Sequence, residues 1–211
     1  FGNAPDGAFY VGDVYREVIE HPKSLPPVIK QHLDLTSGRG RGRIYRVVPE
    51  KFEHPGPAPR LSQAKTAQLV ALLEHENSWH RETAARLLYE RQDKSAVVGL
   101  EQLARASDSP LGRMHALYAL AGLKAVTDEV LIRALADPHA RVRAHAALLS
   151  ESLAGSAPRL ADKLTRMVDD DDLCVRYQLA FSLGEFDAPA STRALAQLAR
   201  RDGDQSWMQM A

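Results

Sequence analysis

One cysteine, no net charge and few aromatic side chains narrow this 211-residue chain before any motif is read. Cys174 stands alone, which excludes an internal disulfide, a Cys-based zinc cluster and a CxxCH haem attachment site. Lys plus Arg equals Asp plus Glu at 27 each. The balance is also local, with 9 basic against 7 acidic residues through position 60 and 18 against 20 beyond it. A nucleic-acid or anionic-membrane binder draws on a basic excess, so neither partner is expected. No apolar run approaches the roughly 20 residues of a spanning helix, so no membrane insertion is expected of this segment. The start, Phe1-Gly2-Asn3-Ala4-Pro5-Asp6-Gly7, has no signal-peptide character. Both that start and the apolar end, Ser206-Trp207-Met208-Gln209-Met210-Ala211, read as cuts in a longer protein.

What is present is a repeat. Arg81, Arg113, Arg143 and Arg176 recur at separations of 32, 30 and 33 residues. The context aligns best in Asp137-Pro138-His139-Ala140-Arg141-Val142-Arg143 and Asp170-Asp171-Asp172-Leu173-Cys174-Val175-Arg176. Before each Arg lies one amphipathic stretch: Leu69, Leu72 and Leu73; Val97, Leu100, Leu103 and Ala104; Leu131, Ala134 and Leu135; Leu160, Leu164, Met167 and Val168. After each Arg a second begins, as in Val142, Ala146, Leu149 and Leu153, or Val175, Leu179, Leu183 and Phe186. The i, i+3/i+4 spacing predicts helices. Clusters such as Ser107-Asp108-Ser109-Pro110 and Gly155-Ser156-Ala157-Pro158 separate them, and residues 191–200 open a fifth unit. The expected fold is mainly α, a solenoid of four to five helix pairs over residues 62–211.

A planar guanidinium near the start of each second helix suits a structural tie to an Asp or carbonyl of a neighbouring loop. Asp137 and Asp170 recur with the arginines and are the expected partners. The competing reading is a ladder of cations facing an anionic ligand. The Asp-x-x-x-x-Val-Arg signature resembles the short bacterial form of HEAT repeats, where the Arg position is structural. His80 and Gly112 replace the signature Val in the first two units.

Residues 1–60 do not follow this period. Asp6-Gly7-Ala8-Phe9-Tyr10-Val11-Gly12-Asp13 predicts a turn and strand, and Gly42-Arg43-Ile44-Tyr45-Arg46-Val47-Val48-Pro49 a second strand. Between them, Pro26-Pro27 opens a short helix through Leu33, and Ser37–Gly42 forms a basic loop. Residues 51–61 are a Pro-rich linker around His54-Pro55-Gly56-Pro57-Ala58-Pro59. Two strands are too few to stand alone in water, so they are expected to complete a larger sheet. Tyr15-Arg16-Glu17-Val18-Ile19-Glu20-His21-Pro22, Leu33–Gly38 and Gly42–Val47 resemble bacterial membrane-bound dehydrogenases that join a β-propeller, HEAT-like repeats and a c-type cytochrome domain. The resemblance implies that residues 1–50 are the remnant of a last propeller blade with an insert. It also implies a periplasmic or cell-surface parent, with haem c or a quinone as the parent's cofactor and none in this segment.

Single residues add little chemistry. His75-Glu76 is the one His-Glu pair, too few for the di-iron set of HEAT-repeat hydroxylases, and no metal site is expected. His115 and His145 each follow a register Arg by two residues, which suggests stacked positions. Asp169–Asp172 lacks the glycine turn and terminal Glu of an EF-hand and suits a helix N-terminus instead. Arg39, Arg41, Arg43 and Arg46 read as a loop and strand. Arg16, Glu17 and His21 are the polar set that could serve catalysis in the parent. The expected role is thus a non-catalytic scaffold that binds a protein partner or the parent's adjacent domains. The alternative is a contribution of residues 1–50 to quinone-dependent sugar or alcohol oxidation.

Overall fold

A computed structural model describes residues 1–19 and 21–210. The described residues are mainly helical, with one small antiparallel sheet at the N-terminal end. Internal contacts divide the chain into two units. The first is Phe1–Pro59 with Asn77–Trp79, and the second is Arg60–Glu76 with the chain from His80 onward.

In the first unit, β1 (Gly2–Asn3), β2 (Phe9–Asp13) and β3 (Arg43–Val47) form a sheet in the order β1-β2-β3. Phe9 faces Val47 and Asp13 faces Arg43 across the longer pair. Gly7, at φ 80°, makes the turn into β2. Asp6 ties that turn to the sheet by accepting from Ala8 N at 3.0 Å and from Arg46 Nη2 at 2.7 Å. The strand β1 escaped sequence reading because it is two residues long. The helix expected from Pro26 through Leu33 is only α1, Pro27–Lys30, and Gln31 caps it. Gly38 is confined by its surroundings: its φ is 77°, and a Cβ there would lie 1.7 Å from the Tyr15 carbonyl oxygen. Ala8 is the single fully buried apolar residue of this unit among those described, and every residue of β3 is exposed.

The second unit contains α2 (Thr66–Ala71), α3 (Ser78–Arg91, from His80), α4 (Val97–Ala106), α5 (Pro110–Gly122), α6 (Asp128–Ala134), α7 (Ala140–Ser150), α8 (Pro158–Thr165), α9 (Leu173–Ser182) and α10 (Pro189–Asp202). Local chemistry sets their starts. Proline occupies the first position of α5, α8 and α10, where its missing N–H costs nothing. Ser109, Thr127 and Asp172 cap α5, α6 and α9 through side-chain oxygens that accept from Gly112 N, Val130 N and Cys174 N.

Contacts place α2, α4, α6, α8 and α10 in one layer, each touching the next, and α5, α7 and α9 in a second. Leu69, Leu100, Leu131, Leu160 and Leu164 from the first layer are completely buried. Leu117, Val142, Ala146, Val175 and Leu179 from the second close on them. Burying a leucine contributes about 1.5–3 kcal/mol, so each helix pair is stabilised mainly by its neighbours' apolar faces.

Candidate functional site

The register arginines converge on acceptors within the chain. Arg113 donates from Nε and Nη2 to the two oxygens of Asp137 at 2.7 and 2.8 Å, and from Nη1 to the Ser107 carbonyl at 2.7 Å. Arg143 repeats this with Asp170 at 2.8 and 2.7 Å and with the Asp137 carbonyl at 2.9 Å. Arg176 repeats it with Asp202 at 2.7 and 2.8 Å and with the Asp170 carbonyl at 2.7 Å. Asp137 and Asp170 are therefore double nodes. Each takes one guanidinium on its carboxylate and the next on its carbonyl, while its Oδ1 also accepts from the backbone N–H two residues on.

Planar bidentate pairing is the strongest form of side-chain ion pair. All six side chains are at most 17% exposed. These three guanidinium groups are each engaged by a carboxylate of this chain. Burial opposes ionisation of Asp137 and Asp170, but the guanidinium and backbone hydrogen bonds outweigh it and hold both below the usual carboxylate range. Asp202 is lowered chiefly by its hydrogen bonds from Arg176.

The first rung is different. Arg81 keeps the backbone half of the pattern, with Nη1 at 2.6 Å from the His75 carbonyl and 2.7 Å from that of Glu76. The position matching Asp137 and Asp170, six residues before the next register Arg, is Ser107. Its hydroxyl accepts from Ser109 N at 3.1 Å, reproducing the turn, and donates to Glu74 at 2.6 Å. With no carboxylate at that position, Arg81 Nε is buried without a hydrogen-bond acceptor among the described residues. Gly112 has a physical reason to replace the signature Val. A Cβ at that position would come within 2.7 Å of Glu74 Cβ.

The other sequence candidates also resolve into local contacts. His75 and His80 stack with ring centroids 4.1 Å apart. Asp169 takes Arg201 and Gln197, Asp172 caps α9, and the Asp171 carbonyl accepts from Arg176. In the first unit Arg16 donates to the Leu35 carbonyl at 2.8 Å, Glu17 is exposed, and His21 Nδ1 accepts from Lys23 N. No hydrogen bond joins these three among the described residues. Arg41 and Arg43 lie 6.0 and 5.0 Å from the Tyr15 ring centroid. Arg46 is taken by Asp6.

A face that the motif search did not single out lies on α5, α7 and α9. Five residues after each paired register Arg stands an apolar or aromatic side chain turned to solvent: Tyr118 at 37%, Leu148 at 38% and Phe181 at 42% exposure. His115 and His145 do not pair with each other. Tyr118 Oη lies 2.8 Å from His145 Nδ1, and the two rings meet edge to face. Burial, then the nearby Arg141, pushes the His145 pKa down, which keeps the ring neutral near pH 7. Glu151 is tied to Ser182 Oγ at 2.7 Å and Gln178 Nε2 at 3.2 Å. Beside these groups is a cleft of about 390 Å³ between α7 and α9, walled by Leu148, Leu173, Tyr177, Trp207 and Met208, with Arg141 on its lining. The sequence signal for this face was the period of the exposed positions, which apolar-stripe counting discards.

Comparison with known proteins places a family model over part of the chain. Residues 1–51 match the family described as Domain of unknown function (DUF7133). No curated protein matches the chain.

Proposed function

We propose that the helical unit is a HEAT-like solenoid serving as a non-catalytic scaffold, and that its second-helix face binds a protein partner or the parent's adjacent domains. The observation carrying this reading is the division of labour at the register positions. The arginines at the register are spent on intramolecular carboxylates and carbonyls, while the positions five residues on present Tyr118, Leu148 and Phe181 to solvent. Large contiguous exposed apolar surface marks interaction sites, and a repeated exposed position on neighbouring helices is one way to build it. Repeat arrays offer such surfaces along their stacking direction. The likeness of residues 1–50 to the end of a propeller in membrane-bound dehydrogenases supplies the setting. The exposed strand β3, with Ile44 78% exposed, is consistent with a sheet that continues into further chain.

The second reading gives residues 1–50 a part in quinone-dependent sugar or alcohol oxidation. One observation favours it: among the described residues, Arg16 Nε is buried without a hydrogen-bond acceptor, a donor available to a bound group. Quinone-dependent dye reduction by the 211-residue chain separates the two. The scaffold reading expects no turnover above blank. Turnover that Arg16→Ala, Glu17→Ala or His21→Ala abolishes would overturn it and move the chemistry to the first unit.

A further inference from the structure

We propose that the cleft between α7 and α9 receives an apolar side chain of a partner polypeptide that carries a carboxylate next to that side chain. This rests on the scaffold reading above and names the partner's chemistry. The walls come from Leu148, Leu173, Tyr177, Trp207 and Met208, and the volume of about 390 Å³ lies in the range that accepts a bulky side chain with its neighbouring backbone.

The charge on the lining is one-sided. Arg141 is exposed and forms neither a hydrogen bond nor an ion pair among the described residues, unlike Arg143 two positions on, which is fully engaged with Asp170. No acidic residue lines the cleft among the described residues. The nearby Glu151 is held by Ser182 and Gln178, burial pushes the His145 pKa down, and Tyr118 Oη lies 2.8 Å from its Nδ1. A lone cation at the edge of an apolar cleft selects an anion that follows an apolar anchor. Placed at the rim, such a charge sets specificity more than affinity.

The residue types agree with a protein partner. Trp, Tyr and Arg are the side chains enriched where interface energy concentrates, and Trp207, Tyr177 and Arg141 share this cleft. The exposed series Tyr118, Leu148 and Phe181 carries apolar surface along α5, α7 and α9, more than an isolated small molecule needs. Aromatic walls flanked by further apolar contacts suit an extended segment of polypeptide.

The test uses the 211-residue chain and fluorescein-labelled octapeptides of one Gly/Ser framework. Each carries a central Phe followed by Glu, Gln or Lys. Fluorescence anisotropy should rank Glu above Gln above Lys, with about a tenfold separation between the ends. Arg141→Glu should reverse that order. Tyr177→Ala should weaken all three peptides about tenfold, and thermal melts should show both variants folded. Equal affinity for the Glu and Lys peptides, or an order unchanged by Arg141→Glu, would overturn the cleft chemistry. Binding that depends on Tyr118 and Phe181 but ignores Arg141 would overturn it too, while leaving the scaffold reading standing. So would no binding at about 1 mM peptide, self-association through this face in sedimentation, or preferential binding of phosphatidylglycerol vesicles. Failure of the scaffold reading is read separately, from dye reduction.

Discussion

The rungs at Arg113, Arg143 and Arg176 are buried ion pairs, and the value of each depends on what is removed. Taking away one partner strands the other charge, at a cost of about 3–5 kcal/mol. Asp137→Asn should therefore destabilise strongly by leaving Arg113 without its bidentate acceptor, as urea denaturation would show. Ser107 offers the reverse experiment. Ser107→Asp combined with Glu74→Gln puts a carboxylate opposite Arg81 and removes the charge beside it. That double variant should gain about 1.5–3 kcal/mol, the usual worth of a hydrogen bond to a charged group; no gain would mean that Arg81 cannot reach the new carboxylate.

Acid should act through the same aspartates. Asp137, Asp170 and Asp202 have folded pKa values below their unfolded ones. A depressed carboxylate adds stability that is fully present above the unfolded value of about 3.9 and is lost as pH falls through the folded value. Denaturation between pH 7 and pH 3 should show a plateau down to about pH 5 and a decline at lower pH. Asp202→Asn should flatten part of that decline, and an unchanged profile would remove Asp202 from the account.

At the scale of elements, glycines separate packing from propensity. Gly112 on α5 lies against Glu74, so Gly112→Ala must displace backbone-attached atoms and should cost about 1–3 kcal/mol. Gly184, just after α9, has open space around its Cβ direction and no positive φ. Gly184→Ala should be neutral or gain up to about 1 kcal/mol by reducing the freedom of the unfolded chain. Equal effects of the two substitutions in thermal melts would contradict this packing.

The helices were legible because their apolar periodicity is a consequence of stacking: Leu100, Leu131 and Leu164 are buried where the pattern put them. Proline at the starts of α5, α8 and α10 marked boundaries for the same reason. Asp137 and Asp170 were legible as partners because they travel with the repeat. Asp202 was not, since it closes α10 with no register Arg six residues later to flag it. The Tyr118–His145 contact was also hidden. It joins different register positions of neighbouring units, and sequence spacing says nothing about which exposed side chains meet between helices.

Within the helical unit as a whole, stability is a sum over neighbours, and the ladder couples each pair to the next. Between the first two pairs the bidentate carboxylate is replaced by the single Ser107–Glu74 hydrogen bond. Hydrogen exchange should therefore open α2 and the turn Leu72–Glu74 ahead of α7 and α9, and the Ser107→Asp/Glu74→Gln variant should slow exchange selectively in the former. Uniform protection across the helices would argue that the carboxylate rungs add nothing to leucine packing.

The central claim is that the recurring arginine is an intramolecular staple and not a ligand site, and a double-mutant cycle at Arg143 and Asp170 measures it directly. Arg143→Met, Asp170→Leu and the double variant, compared by urea denaturation, should give a coupling of about 2–3 kcal/mol, with the double variant more stable than either single one. A coupling near zero, with losses that simply add, would contradict the account.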